Sequence, residues 1–499
     1  MGRGRAWSSV LAGMAAVALA RTADATGNDQ PYPVGERATG MGGAAVALTD
    51  DGSAPWYNPA GLGRVRAVGV SASLSAYGVE FDRTRDFYSA TGQHADLRGW
   101  ATAIFPASLG YVAPLDVGRS TRFQHAIGVS VIIPDYERHE VTLSSPSPTF
   151  ALNGRERLIE QTIWVLPSWG ACVDLSVCFG VSFAGTYRTS SGQESVFTDS
   201  SALTVDTDTT QFGAGFQGGL QWTLTPAWSL GLSVRSPIRT LYGPGRLLLV
   251  QSSTGGATRT VADNGLWTDF RLPLFLRAGA AYESGRFAVA ADLQVSLPQD
   301  TYSMELGQGG ADWVQPRASD GTPIGTPVSL ARVSRRTAII NASVGGEKTL
   351  TAKFSLQLGA FTDLSGTPND ATPPPDELHP RVNRFGLTLG FIRRSVHSTT
   401  HLAFVATHGW GTSVGLDDAA ARPRFDTTAL YLNIGGSSDF ADPDDVNPSK
   451  KPSATPLYAK RWFWTLIGSA VVAGTVAYVL ASSRGTGVPP SDLGAQRAP

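Results

Sequence analysis

The sequence is short of charge, nearly free of cysteine, and has no long apolar run between its two ends. Charged residues make up 16% of it, well below the roughly 25% of an average soluble protein. With 499 residues there is room for two or three soluble domains or for one large closed β structure. Neither sign of charge dominates. The formal net charge is −1, which offers no basis for binding nucleic acid. A mean hydropathy of −0.05 excludes a bundle of membrane helices. Low charge, 56 glycines and middling hydropathy together suit a transmembrane β-barrel, in which lipid-facing and lumen-facing residues average out.

The two cysteines are Cys172 and Cys178. Two thiols without a neighbouring histidine do not supply a zinc site. In an exported chain they are a candidate disulfide across a tight turn. The spacing admits two free thiols equally well, because facing strand positions do not guarantee bridging geometry.

The apolar runs lie at the ends. Arg3 and Arg5 precede a short apolar stretch over 10–20, and Ala23-Asp24-Ala25 is a small-residue cleavage site, so residues 1–25 read as a signal peptide. Residues 439–460 are acidic, then basic, and rich in proline, as a polar linker is. Residues 461–483 form a hydrophobic segment of membrane-spanning length, with a small-residue stripe at Ser469, Ala473 and Ala477. Residues 484–499 read as a disordered tail. If the chain is exported, Lys450, Lys451, Lys460 and Arg461 flank this helix on the non-cytoplasmic side, against the positive-inside tendency.

What is abundant is glycine in one stretch and alternation everywhere after it. Residues 35–63 join a small-residue segment, Gly40-Met41-Gly42-Gly43-Ala44, to a turn-forming one, Tyr57-Asn58-Pro59-Ala60-Gly61. Glycine permits close backbone approach and positive φ, and proline holds Asn58 extended. A compact irregular plug needs this chemistry; a flexible linker tolerates it.

From Val68 onward apolar residues recur with a period of two. Trp228, Leu230, Leu232 and Val234 alternate with Ser229, Gly231, Ser233 and Arg235, the pattern of strands with one apolar face. Fourteen such segments are expected, at 67–78, 98–112, 125–134, 159–173, 177–188, 211–224, 228–237, 269–283, 286–297, 336–349, 353–363, 382–394, 400–409 and 426–436. Long polar connections such as 189–210, 298–335 and 364–381 alternate with short turns such as Thr225-Pro226-Ala227. That rhythm marks an outer-membrane barrel; a soluble β-sandwich or propeller does not require it. An even strand number returns both barrel ends to the short-turn side. Residues 26–66 then start at the periplasmic mouth and can fold back into the lumen as a hatch, with the barrel spanning 67–438.

The hatch stretch carries a resemblance. Arg37-Ala38-Thr39-Gly40-Met41-Gly42-Gly43-Ala44, Asp50-Asp51 and Tyr57-Asn58-Pro59-Ala60-Gly61 resemble the hatch of the FadL family of outer-membrane transporters for long-chain fatty acids and other hydrophobic compounds. Weaker matches follow in family order at 105–111, 231–238 and Ala290-Ala291-Asp292. The resemblance implies a fourteen-stranded barrel, closed by an N-terminal hatch, in the bacterial outer membrane. It also implies that a hydrophobic small molecule is captured from outside and leaves sideways through the wall into the membrane lipid. The hatch residues Gly40, Gly42, Gly43, Asn58, Pro59 and Ala60 would then shape the plug and its exit. No motif transfers ligand-binding residues.

Enzymatic patterns are present but lack context. Gly411-Thr412-Ser413-Val414-Gly415 has the spacing of a hydrolase nucleophile but not its strand-turn-helix setting. Gly213-Ala214-Gly215-Phe216-Gln217-Gly218 has dinucleotide-binding spacing but leads into another strand. His397, His401 and His408 read as wall and turn residues, and Asp439, Asp442, Asp444 and Asp445 lack calcium-loop spacing. No catalytic residue, metal or cofactor is expected. The expected function is passive outer-membrane transport of fatty acids or similar apolar molecules. The alternative is a barrel scaffold that anchors an envelope or secretion assembly through residues 461–483, by helix-mediated self-association or a periplasmic partner.

Overall fold

The computed structural model describes residues 28, 32–88, 95–103, 107–115, 123–144, 152–174, 176–198, 201–253, 258–307, 313–315, 322–323, 328–329, 332–368, 381–412 and 422–439. The signal peptide, the linker beyond 439, the 461–483 helix and the tail lie outside these residues, as do Ser413, Asp442, Asp444 and Asp445.

The chain closes into a barrel of fourteen antiparallel strands. They are β1 (Gly69–Tyr88), β2 (Ala95–Ala103 and Ala107–Leu115), β3 (Phe123–Ser144), β4 (Leu152–Val173), β5 (Val177–Thr198), β6 (Ser201–Thr223) and β7 (Trp228–Arg235, Arg239–Tyr242 and Pro244–Ser253). There follow β8 (Arg259–Thr268 and Phe275–Ser284), β9 (Gln299–Leu306 after Phe287–Ser296), β10 (Arg332–Arg336 and Ile339–Thr349), β11 (Phe354–Asp363), β12 (Arg381–Arg394), β13 (Ser398–Thr412) and β14 (Arg424–Asp439). Each contains or overlaps one of the fourteen expected segments. β14 pairs with β1 from Gly69↔Asp439 to Thr84↔Phe425, so the sheet has no free edge. A separate two-stranded ladder joins Trp313–Val314 to Val328–Ser329.

The alternation is inverted relative to a soluble protein. In Trp228–Arg235 every apolar residue faces out and every small or polar one faces in: Leu232 is 45% exposed, Arg235 only 4%. An apolar exterior around a polar interior is the arrangement a bilayer imposes. Exposed aromatic residues stand at both ends of this face on β6, with Phe216 between them. Phe212 and Trp222 are both exposed on β6, ten residues apart. At about 3.3 Å per residue and a tilt of about 40° they stand roughly 25 Å apart along the barrel axis, the height of an apolar band.

Two expected loops are corrected. Residues 189–210 are not a long loop: β5 and β6 pair without a break from Val177↔Trp222 to Thr198↔Ser201. Outward positions such as Thr204, Asp206 and Asp208 are polar there because the hairpin has risen past the apolar band, so the period-two apolar signal fades. Likewise the segment after 297 resumes as strand at Gln299. The strand breaks in β7, β8 and β9 each hold a proline, Pro237, Pro273 and Pro298, which cannot donate to a ladder. The breaks lie side by side, since Phe275 pairs with both Arg235 and Ser296.

Inside the barrel lies the hatch, residues 32–66. It has a short helix α1 (Glu36–Gly40), a turn through Gly43, a second short helix α2 (Ala54–Tyr57) and a 3-10 helix (Pro59–Arg64). Nearly all of it is buried, and a large apolar cluster forms where its Trp56 and Tyr57 meet Ile132, Trp164, Leu166 and Phe275 of the wall.

Candidate functional site

An irregular segment in a barrel lumen leaves backbone groups that water cannot reach, so the wall must supply their partners. It does so strand by strand. Ser130 on β3 donates to Gly52 O at 2.6 Å, Gln221 on β6 to Val46 O and Thr49 O at 3.2 and 3.0 Å, and Thr388 on β12 to Gly40 O at 2.8 Å. On β9, Asp292 accepts from the amides of Ala45 and Val46 at 2.7 and 2.9 Å. The hatch backbone also touches the wall backbone directly, which only glycine permits. A Cβ on Gly180 would lie 2.4 Å from Pro59 O, one on Gly231 2.3 Å from Val46 O, and one on Gly345 2.3 Å from Met41 O.

The flagged hatch residues fall into two corners. Gly42 and Gly43 have φ of 65° and 86° and turn the chain between α1 and Ala44. A Cβ on Gly42 would lie 2.7 Å from Ala360 N on β11, and one on Gly40 2.0 Å from Gln357 Oε1. Asn58, Pro59 and Ala60 are held against β4, β5 and β6. The Asn58 amide donates to Val46 O and to Leu220 O at 2.9 and 3.0 Å, and its Oδ1 accepts from Ala60 N at 3.2 Å. The first joins the two hatch halves; the second fastens them to the wall. Ala60 packs against Cys172 and Cys178, which face each other across the β4–β5 turn and are disulfide-bonded.

Charge is gathered at the short-turn end. Arg37 reaches Glu347 at 2.9 Å and Glu283 at 3.0 Å, and Arg394 also pairs with Glu347. Glu36 lies on the closing seam of the barrel, its Cγ beside Gly435. Burial, then the Asp51 charge, pushes its carboxyl up to about 8, against the opposing hydrogen bonds of Ser437 and the Ala72 backbone. The Tyr57 hydroxyl donates to Val34 O at 2.9 Å and accepts from Val34 N at 3.0 Å, and burial raises it to about 12.

Sequence reading missed the box around Trp56. Its carbonyl accepts from Gln217 at 3.1 Å, Arg235 at 3.4 Å and Arg277 at 2.9 Å. The Arg235 guanidinium stands 4.3 Å over the Trp56 ring and 4.8 Å over Trp164, a cation held between aromatic faces. Arginine at inward strand positions was the available signal. Toward the long-loop end a second apolar group faces inward: Leu203, Val205, Leu247, Leu249, Val261 and Leu266. His401 is fully buried, whereas His408 is exposed and bonded to Thr428 at 3.0 Å; the two do not converge. Among the described residues no three His, Cys, Asp or Glu side chains gather as metal ligands.

No protein-family model matches the chain, and no curated protein matches it in sequence. Solved structures do match. A FadL homologue of Pseudomonas aeruginosa is 13% identical, with a TM-score of 0.56 over 83% of this chain and 100% of that one. The toluene transporter TodX of Pseudomonas putida is 16% identical, with a TM-score of 0.57 over 82% of this chain and 99% of that one. The toluene transporter TbuX of Ralstonia pickettii is 14% identical, with a TM-score of 0.52 over 82% of this chain and 98% of that one. At these identities the likeness establishes the fold, which is that of the FadL-type barrel with its N-terminal hatch.

Proposed function

We propose that this protein is a passive outer-membrane channel for hydrophobic small molecules. The observation that carries the reading is the pair of apolar surfaces set within the otherwise polar lumen. A water-filled porin has a polar lumen, but here inward-facing aliphatic residues near the long-loop end and an aromatic box against the hatch stand at successive levels. An apolar solute moving from water onto such surfaces gains about 25 cal/mol for each Å² it buries, and the hatch denies ions a straight path. The similar structures include a toluene transporter and a FadL homologue, and the hatch motif supports the same class. Fatty acids are the finer reading, which the resemblance of the hatch motif suggests. Release is sideways into the membrane, since the hatch fills the lumen below.

The test is uptake of labelled oleate and labelled toluene by cells that lack the protein and by cells complemented with it. Faster uptake of either on complementation supports the channel, and oleate above toluene supports the fatty-acid reading. Equal uptake with and without the protein refutes it. Removing residues 460–499 should leave transport intact, whereas the scaffold alternative requires that removal to abolish function.

A further inference from the structure

Outward residues of neighbouring strands form rows around the barrel. At the long-loop border of the apolar band one row runs through Trp100 on β2, Phe81 on β1, Thr428 on β14, His408 on β13 and Phe385 on β12. Trp100 is 66% exposed and Phe81 54%, and aromatic rings at this height suit a membrane–water interface. The two rows above it are charged. Arg83 stands opposite Arg98 on one side and Asp426 on the other. Arg83 pairs with Asp96 at 2.6 Å, and Arg98 reaches the same carboxylate at 4.0 Å. Arg85 and Arg424 both pair with Asp426, at 3.4 and 3.0 Å. Four guanidiniums thus share the carboxylates of Asp96 and Asp426. Asp86 follows on β1, its amide donating to Asp96 at 3.2 Å.

The β5–β6 hairpin differs at its rim. Above the exposed Phe212 the outward positions of β6 are Thr210, Asp208 and Asp206, and facing them on β5 are Thr189, Ser191 and Gln193. The arginine rows are therefore a local feature of β14, β1 and β2. Directly beneath the aromatic row the wall there is hollowed. An apolar depression of about 870 Å³ lies between Leu358, Leu387, Phe404 and Leu430, where Ala360 and Ala406 take the outward positions. Ala406 is opposite both Leu387 and Leu430, one row below His408 and Thr428. Arginine beside interfacial aromatics stands at the depth of lipid headgroups, and a guanidinium holds a phosphate by two parallel N–H bonds. Phosphate chemistry above and acyl-chain chemistry below are thus stacked on adjoining strands.

We propose that this outer face binds one anionic lipid of the outer leaflet, with its phosphates on Arg83, Arg85, Arg98 and Arg424 and an acyl chain in the hollow over Ala360 and Ala406. A soluble anion would match the arginines and leave the hollow unfilled. An apolar protein surface would fill the hollow and bury the guanidiniums without their counter-charge. A molecule with a phosphate head and an apolar chain meets both. The arginines come from the two sides of the closing β1–β14 seam, so a phosphate held among them also joins the first strand to the last. The site uses neither the lumen nor the hatch, and it stands or falls apart from the channel reading.

The test titrates the full chain, purified in a non-ionic detergent, with diphosphoryl lipid A, with phosphatidylethanolamine and with inorganic phosphate. Bound lipid is counted by native mass spectrometry, and folding of each variant is checked by heat-modifiable migration. Diphosphoryl lipid A should bind about tenfold more tightly than the zwitterionic phosphatidylethanolamine, and inorganic phosphate at equal concentration should not displace it. Replacing Arg83, Arg85, Arg98 and Arg424 together by Gln should cost about tenfold or more. Arg98→Gln with Arg424→Gln alters only the two most exposed of the four, 72% and 61%; it should cost about threefold and serves if the larger variant does not fold. Ala406→Trp, which fills the hollow and leaves the charge, should weaken binding about threefold. Arg246→Gln, on the β7 rim beside Asp208, should leave binding unchanged. Wild-type affinity in the arginine variants, or an equal loss with Arg246→Gln, overturns the site. Displacement by inorganic phosphate, or full binding by Ala406→Trp, overturns a lipid as its occupant.

Discussion

At the Asn58 corner the hatch meets the β5–β6 hairpin, whose ladder is complete. At the Gly42 corner it meets β10 and β11, whose ladder stops at Ser343↔Phe361. The first corner is tied by an amide side chain that bonds hatch to hatch and hatch to wall, over a disulfide. The second is a bare glycine turn against the Ala360 backbone. The same segment thus has one end tied by its own side chain and one tied only by wall side chains, Thr388 to Gly40 O and Asp292 to the Ala45 and Val46 amides.

The largest effect should come from breaking the fixed corner. Gly180→Val puts a branched side chain where a single Cβ already lies 2.4 Å from Pro59 O. Its strand is paired on both sides and cannot yield, so the hatch must, at a cost of about 3 kcal/mol. Ion conductance in a planar bilayer should rise and the hatch should become sensitive to trypsin at Arg64 and Arg66. Unchanged conductance would mean that the corner is not a fixed point. Asn58→Ala should come next. It removes the partners of Leu220 O and Ala60 N in a fully buried site, for about 2–3 kcal/mol. Hydrogen exchange should quicken at both Val46 and Ala60, since Asn58 joins the two hatch halves.

Gly42→Ala should cost about 1–2 kcal/mol for its left-handed φ, plus the push against Ala360. Faster exchange should stay within residues 41–44 and leave Ala60 as protected as before. If the Asn58 corner loosens too, the two corners act as one and the comparison fails. The smallest effect concerns pH. Glu36 titrates at about 8 in the folded protein, above the ordinary value of 4.5, so the folded state holds an extra proton between those values. Stability of the hatch against the β1–β14 seam is therefore full below about pH 4.5 and declines as pH rises through 8. Glu36→Gln, which stays neutral, should flatten that decline when hatch protection is followed from pH 5 to 9. An equal slope in both proteins would discount Glu36.

Much of this was legible beforehand where one residue type answers one constraint. Alternation located all fourteen strands because the bilayer demands apolar residues at every second position. Gly42 and Asn58 stood out because a positive φ and a turn before proline restrict the choice of residue. The glycines of the wall were visible only as small residues on a polar face. Whether Gly231 and Gly345 bordered water or another backbone depended on what filled the lumen. The extended β5–β6 hairpin was hidden because, beyond the lipid, its outward positions obey no apolar rule.

The sequence by itself determined a closed antiparallel barrel, its strand number, and an N-terminal segment too rich in glycine to be an ordinary strand. Those properties are local, set by side-chain period and backbone freedom. The tertiary structure alone decided that the two halves of the hatch motif press on opposite walls, and that Arg235 closes over Trp56. It alone decided that Arg85 of β1 and Arg424 of β14 meet over Asp426. Each of these joins residues distant in the chain, and such contacts depend on how the barrel closes rather than on any repeat within a strand.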